Sequence, residues 1–245
     1  MNVQIEVTTR CNFDCFYCAG RDMEQKDMTM EHYLKIMDSH VHRYGIPAQV
    51  SLQGEGEPTL NHDFFNMAAH VRRIGSEPTT ITNGSYKYPE HFAQSFKKIG
   101  ISLDTLDPAE ASRVGRHNLA RVLEFIESVS SFLEVTIFTV AISPSFHAVA
   151  AWCQQRGLKH IVQPLQSKPD YNYRYPQHVV VHPRPSLYQC AYLQQDLMRY
   201  YAIDSGEFPC CFIKDARHYV SIADLKQQLA NKQIPASCSG CKELK

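Results

Sequence analysis

Three thiols, Cys11, Cys15 and Cys18, fall within eight residues of the segment TTRCNFDCFYCAG. One loop carrying soft ligands at that spacing can wrap a metal centre, and thiolates are the ligands of iron-sulfur clusters and of zinc. A [4Fe-4S] cube takes four thiolates when fully ligated, so three local ones leave an iron able to chelate a small molecule. Zinc is the alternative chemistry, although its motifs come as Cys-x2-Cys pairs and a triplet in one loop is unusual for it. Five further cysteines, Cys190, Cys210, Cys211, Cys238 and Cys241, gather near the carboxyl end. Four spaced thiols there can close a second cluster with no open iron. They also suit a four-thiolate zinc site, given the final Cys-x2-Cys. Cys153 stands apart on the apolar face of a helical pattern, where a thiol behaves as a small hydrophobe. Nine cysteines, an odd number, argue against a closed disulfide framework.

Polar groups that such a centre would use lie in three other segments. In SLQGEGEPTLN the glycines permit a backbone course close to a ligand. Ile81-Thr82-Asn83-Gly84 and Ser102-Leu103-Asp104 put polar side chains at the carboxyl ends of strands, where parallel α/β folds build their sites. Gln163, before Pro164, ends a sixth strand; it either faces the same cavity or is an ordinary strand-end turn residue. The twelve histidines are dispersed. His32, His40 and His70 lie in helical segments and read as surface or core-edge residues, and no catalytic base is assigned.

The elements that would position these groups follow from periodicity. β-type runs over Val3–Thr8, Gln49–Leu52, Thr79–Thr82, Gly100–Leu103, Val135–Ile142 and Lys159–Gln163 alternate with helical patterns. Thr29 is a candidate cap for a helix with Leu34, Met37, Val41 and Tyr44 on one face. Further stripes are Phe64, Ala68 and Val71; Phe92 and Phe96; Leu119, Val122, Leu123, Ile126 and Val129; and Phe146, Val149 and Cys153. Strand-helix alternation implies an α/β class with parallel strands joined by crossover helices. Residues 166–186, rich in Pro, Tyr and His, read as a connection. The cysteine-rich remainder is too short for a full core of its own, so a metal is expected to staple it.

A chain of 245 residues with 44% hydrophobic and 20% charged residues is long enough and apolar enough for a compact globular core. Formal net charge is zero, so an anionic partner, whether nucleic acid or membrane surface, gains no electrostatic support. No signal peptide and no spanning apolar run is apparent, and a cytoplasmic location is the expectation.

The Cys11-x3-Cys15-x2-Cys18 motif, with Tyr17 just before its third thiol, resembles that of the radical S-adenosylmethionine superfamily. Gly54-Glu55-Gly56-Glu57-Pro58 is similar to that family's second motif. The resemblance implies a partial (β/α)6 TIM-like barrel over residues 1–170. It also implies that an open iron chelates S-adenosylmethionine, and that reduction cleaves it to methionine and a 5′-deoxyadenosyl radical. Tyr17, Gly56, Glu57, Asn83, Ser102, Asp104 and Gln163 are then the expected cofactor-binding residues. Cys190-x15-Gly206-x4-Cys211, followed by Cys238-x2-Cys241, resembles the twitch domain, a shortened SPASM extension. That likeness implies an auxiliary [4Fe-4S] cluster within residues 186–245, after a connection at 171–185, held by Cys190, Cys211, Cys238 and Cys241 with Cys210 as rival to Cys211.

From this likeness the expected activity is hydrogen abstraction from an unactivated carbon, with two-electron oxidation assisted by the auxiliary cluster. Cross-linking or epimerisation of a ribosomal peptide, and S-adenosylmethionine-dependent isomerisation, are the alternatives within the class. A non-catalytic zinc protein is the alternative outside it. The first strand begins next to Met1, which leaves no room here for a leader-peptide recognition domain. A small-molecule or peptide substrate is expected, with Tyr171, Tyr173 and Tyr175 near it. A flavodoxin or ferredoxin would be the reductant.

Overall fold

The computed structural model describes residues 1–18, 23–165, 185–204, 206–213 and 216–245. The connection at 171–185, all but its last residue, and with it Tyr171, Tyr173 and Tyr175, lies outside the described residues. Strands β1 (Asn2–Ile5), β2 (Gln49–Leu52) and β3 (Glu77–Thr79) pair in parallel, with Val3 opposite Val50 and Val50 opposite Pro78. β4 (Ile81–Thr82), β5 (Lys98–Ser102), β6 (Glu134–Val140) and β7 (Lys159–Gln163) form a second parallel set. Only Thr80 separates β3 from β4. Its hydroxyl donates to Leu52 O (2.8 Å) and its carbonyl accepts from Gly100 N (2.8 Å), so the two sets form one arc. Among the described residues β7 is an edge strand, with Ile161 and Val162 45% and 41% exposed, and the arc is open on that side.

Local signals place the helices. Thr29 caps α1 (Met30–Tyr44) by accepting from His32 N at 3.2 Å, as its hydroxyl at the N-cap allows. α2 (Phe64–Arg73), α3 (Glu90–Ser95), α5 (Leu119–Val129) and α6 (Phe146–Gln155) bury most of the expected apolar positions, including Cys153; Leu123 and Phe146 are half-buried, and Phe96 is buried just past the end of α3. α4 (Pro108–Val114) has no clear apolar period and escapes the sequence reading. Its signals are at its ends: Asp107 accepts from Glu110 N (2.8 Å), Pro108 opens the first turn, and Gly115 at φ 89° ends it.

One expectation on α1 is corrected. The buried residues are Tyr33, Met37 and His40; of the expected stripe Met37 is buried, Leu34 and Val41 pack half-buried against the core, and Tyr44 is exposed. His40 is a core residue, with its Nδ1 2.8 Å from Tyr201 Oη. The reason is long-range: α1 packs against a strand more than 150 residues away.

That strand, β8 (Met198–Ala202), lies parallel to β1, with Ile5 opposite Tyr201, and carries the antiparallel β9 (Gly206–Phe208) on its outer edge. Neither was expected from the sequence, because β8 is buried on both faces and β9 has three residues. Alternation along β8 divides its side chains. Tyr201 enters the main core with Val3, Ile5 and Met37, while Tyr200 enters a second cluster with Leu193, Phe208, Ile213, Leu225 and Leu229. α7 (Ala191–Gln194) and α8 (Ile222–Ala230) cover that second cluster. No helix among the described residues is long and apolar enough to cross a membrane.

Candidate metal and cofactor site

The loop after β1 is held at Asp14, Cys15 and Phe16 by the turn that ends α4. Asp14 N donates to Gly115 O (3.0 Å), Phe16 N to Val114 O (3.1 Å), and the Cys15 thiol lies 3.8 Å from Gly115 O. A Cβ on Gly115 would come within 2.6 Å of the Asp14 backbone, so a glycine is required there both for its φ and for this approach. On the other side, Cys18 Sγ is 3.7 Å from Glu55 O, and Phe13 N donates to Cys11 Sγ at 3.4 Å. Cys11, Cys15 and Cys18, with Gln25, Glu55 and His117, line one cleft of about 290 Å3. The three soft thiols expected from the sequence are brought together, and with the cleft's polar wall they fit a cluster carrying a small polar ligand. Burial pushes the Cys11 and Cys15 thiols up, and the Arg116 guanidinium pulls Cys15 back down. A bound metal deprotonates such thiols outright.

The Gly-x-Gly-Glu-Pro loop packs onto the root of the cysteine loop. Gly56 N donates to Thr8 O (3.2 Å) and Glu57 N to Arg10 O (2.7 Å). A Cβ on Gly56 would sit 2.4 Å from Arg10 O and 2.6 Å from Thr8 O. Glu57 is buried, and its carboxylate accepts from Thr59 N, Thr59 Oγ1 and Thr82 Oγ1 at 3.2, 2.7 and 2.7 Å and from Asn83 N at 2.6 Å. Burial pushes its carboxyl up while those donors pull it down. Both oxygens are engaged, so the side chain sets the shape of the loop and joins it to the end of β4. Asn83 continues the contact: its Nδ2 donates to Asn12 Oδ1 (2.8 Å) and lies 4.0 Å from Cys11 Sγ.

Asp104 and Tyr17 meet in a buried ionic cluster that the sequence did not reveal. Arg116 Nε reaches Asp104 Oδ2 at 2.6 Å, and Arg116 Nη2 reaches Tyr17 Oη at 2.7 Å. Tyr17 Oη also donates to Asp104, whose other oxygen accepts from Val140 N (2.8 Å). Arg116 Nη1 donates to Ser102 O at 3.3 Å. Burial raises the Tyr17 phenol well above its usual range, and Asp104 keeps Arg116 charged. Ser102 ends β5 and Gln163 ends β7, where its carbonyl accepts from Ala141 N (2.8 Å). Glu6 was missed as well. Its carboxylate accepts from Glu55 N (3.0 Å) and Ile203 N (3.2 Å), linking the glycine loop to the end of β8. A charged residue within the apolar run Val3–Thr8 that β1 begins, buried where charge is expensive, was the available signal.

At the carboxyl end, Leu244 bridges Cys190, and Gln189 and Lys245 exchange backbone hydrogen bonds at 3.1 and 2.9 Å. This pairing carries Cys190 alongside the Cys238–Cys241 turn. All nine cysteines are described and none forms a disulfide. Among the described residues no three His, Cys, Asp or Glu side chains converge on a single-ion site.

A parallel α/β arc with a three-thiol loop at the carboxyl end of its first strand defines an iron-sulfur enzyme of the partial-barrel class. A sequence-family profile described as the Radical SAM superfamily matches residues 5–144, and the chain belongs to that superfamily. Membership implies a [4Fe-4S] cluster and S-adenosylmethionine as cofactors. The chain is 27% identical over 154 residues to an S-adenosylmethionine-dependent nucleotide dehydratase from Selenomonas ruminantium, covering 56% of this chain and 55% of the relative. It is 28% identical over 172 residues to a GTP 3′,8-cyclase from Paracoccus denitrificans, covering 63% of this chain and 49% of the relative. The chain thus spans about half the length of these relatives. Among solved structures, Streptococcus suis SuiB bound to S-adenosylmethionine superposes with a TM-score of 0.71 at 15% identity, over 97% of this chain and 66% of SuiB. The expected fold class is borne out.

Proposed function

We propose that this enzyme abstracts hydrogen from an unactivated substrate carbon and completes a two-electron oxidation through a second, cysteine-ligated cluster near its carboxyl end. The observation that carries this reading is the gathering of the carboxyl-terminal cysteines about one apolar cavity lined by Cys190, Leu193, Leu225, Cys238 and Cys241. It is buttressed by a strand, β8, whose other face lies in the barrel core. A segment of this kind is the twitch-type extension the sequence resembles, with Cys190, Cys238, Cys241 and one of Cys210 and Cys211 as ligands.

Cys11, Cys15 and Cys18 would hold the first cluster, which would supply the reducing electron for cleavage of S-adenosylmethionine and so for hydrogen abstraction. Gly56 lets the backbone approach the cofactor. Glu57 and Asn83 fix the loop beside Cys11, and Tyr17, Ser102 and Asp104, locked by Arg116, form the neighbouring wall. Gln163 closes the row of strand ends. A substrate that had lost a hydrogen atom would complete its two-electron oxidation by giving a proton to a base, and the second centre would serve as acceptor of the remaining electron. A flavodoxin- or ferredoxin-type protein supplies the reducing electron at the first.

Relatives named for nucleotides make nucleotides the first small molecules to assay. SuiB, solved bound to precursor peptide SuiA, makes peptides the second. The test is iron and sulfide content with electron paramagnetic resonance after anaerobic reconstitution. Two cubes require about eight irons per chain, falling to about four in Cys238→Ala/Cys241→Ala. Iron unchanged, with zinc lost from that variant, would replace the oxidative reading with electron-neutral chemistry.

A further inference from the structure

We infer that the second cluster takes Cys210 as its third protein ligand, one residue earlier than the Gly206-x4-Cys211 spacing assigns, leaving Cys211 outside the ligand set. This rests on the proposed second cluster and specifies its ligands. Cys190, Cys210, Cys238 and Cys241 all line the same small cavity, among Leu193, Phe212, Ile213, Leu225 and Leu244; Cys211 does not line it.

The core behind the pair supports the choice. β9 pairs with β8 so that Phe208 faces Tyr200, and both belong to the second core. Beyond Phe208 the chain bends at Pro209 and Cys210 and turns at Cys211; Cys210 belongs to the buried second core, whereas Cys211 packs on that core from outside the cavity. Burial agrees: Cys210 is 8% exposed, while Cys211 is half-buried.

A second observation concerns the sulfur itself. The amide of Phe212 hydrogen-bonds to the Cys210 sulfur. The same relation, donor two residues after the thiol, joins Phe13 N to Cys11 Sγ in the amino-terminal loop. Amide donors to thiolate sulfur orient a ligand and tune the cluster it holds. The two remaining ligands are preset by a tight turn, in which Cys241 N donates to Cys238 O at 3.1 Å and Gly240 takes φ 69°.

The experiment compares full-length wild type, Cys210→Ser, Cys211→Ser and Cys238→Ser after anaerobic reconstitution, by iron content and Mössbauer spectroscopy, with the amino-terminal cluster as internal reference. Wild type and Cys211→Ser are expected to hold about eight irons per chain with the same spectrum. Cys210→Ser is expected to fall to about four, as Cys238→Ser does, or to keep a second cluster with an altered spectrum. Loss of about four irons from Cys211→Ser overturns the assignment, as does a Cys210→Ser protein with unchanged iron and spectrum. Wild type holding only about four irons would instead remove the second-cluster reading on which the assignment stands.

Discussion

Replacing Arg116 by methionine removes the cation from a carboxylate that has no solvent exposure, since the Asp104 side chain is 0% and the Arg116 side chain 13% exposed. It also takes two donors from Tyr17 Oη and one from Ser102 O. Breaking one side of a buried pair costs about 3–5 kcal/mol, because the surviving charge is stranded rather than because the pair itself is worth that much. Arg116 keeps slight contact with solvent and water can partly replace it, so the lower figure, about 3 kcal/mol, is expected. For a chain of this size that lowers Tm by roughly 6–12 °C. Because the cost is a stranded charge, Asp104→Asn/Arg116→Met should recover about half of the loss. The assay is anaerobic thermal unfolding of reconstituted protein at pH 7, with iron content read alongside, since the cysteine loop loses its anchor at Tyr17. An Arg116→Met Tm within about 2 °C of wild type, or a double variant no more stable than Arg116→Met, would refute a stranded buried carboxylate.

Gly56→Ala should cost about 2–3 kcal/mol and reduce cluster loading, because its Cβ meets the backbone of Thr8 and Arg10 and neither can move without shifting the cysteine loop. Gly45→Ala is the control: φ 81° with ψ 178° is a region essentially reserved for glycine and strains an alanine by about 2–3 kcal/mol, but open space surrounds it and the cluster should load normally. Iron content and denaturant midpoints of both variants check this. His40 is held neutral by burial, its pKa pushed down to about 4, so the unfolded chain binds the proton more readily. Stability should therefore be full above about pH 6.5 and fall as pH drops from there towards 4. Urea midpoints across that range should fall less steeply in His40→Gln.

What the sequence discloses here is what local chemistry determines. β2 and β7 begin and end where their β-type runs do, Thr29 caps the helix it precedes, and the three-thiol loop follows the first strand. The residues that escaped depend on partners far along the chain. α4 is marked by its caps and not by an apolar stripe, and β8 is buried on both faces, which erases the alternation that would have revealed it. Arg116 reads as one more surface arginine until Asp104 and Tyr17, 12 and 99 residues from it in sequence, enclose it. His40 similarly reads as a helix-surface residue until Tyr201 is packed against it. Spacing alone favours Cys211, whereas the bend after β9 places Cys210 in the cavity with Cys190, Cys238 and Cys241.

The central claim is that Cys11, Cys15 and Cys18 hold a cluster that cleaves S-adenosylmethionine. Its most direct test is to incubate anaerobically reconstituted, reduced enzyme with S-adenosylmethionine and quantify methionine and 5′-deoxyadenosine. Equimolar formation of both, abolished in Cys11→Ala/Cys15→Ala/Cys18→Ala while the carboxyl-terminal iron is retained, is the predicted result. Cluster-loaded, reduced wild type that leaves S-adenosylmethionine intact, or cleavage that survives the triple substitution, would contradict it.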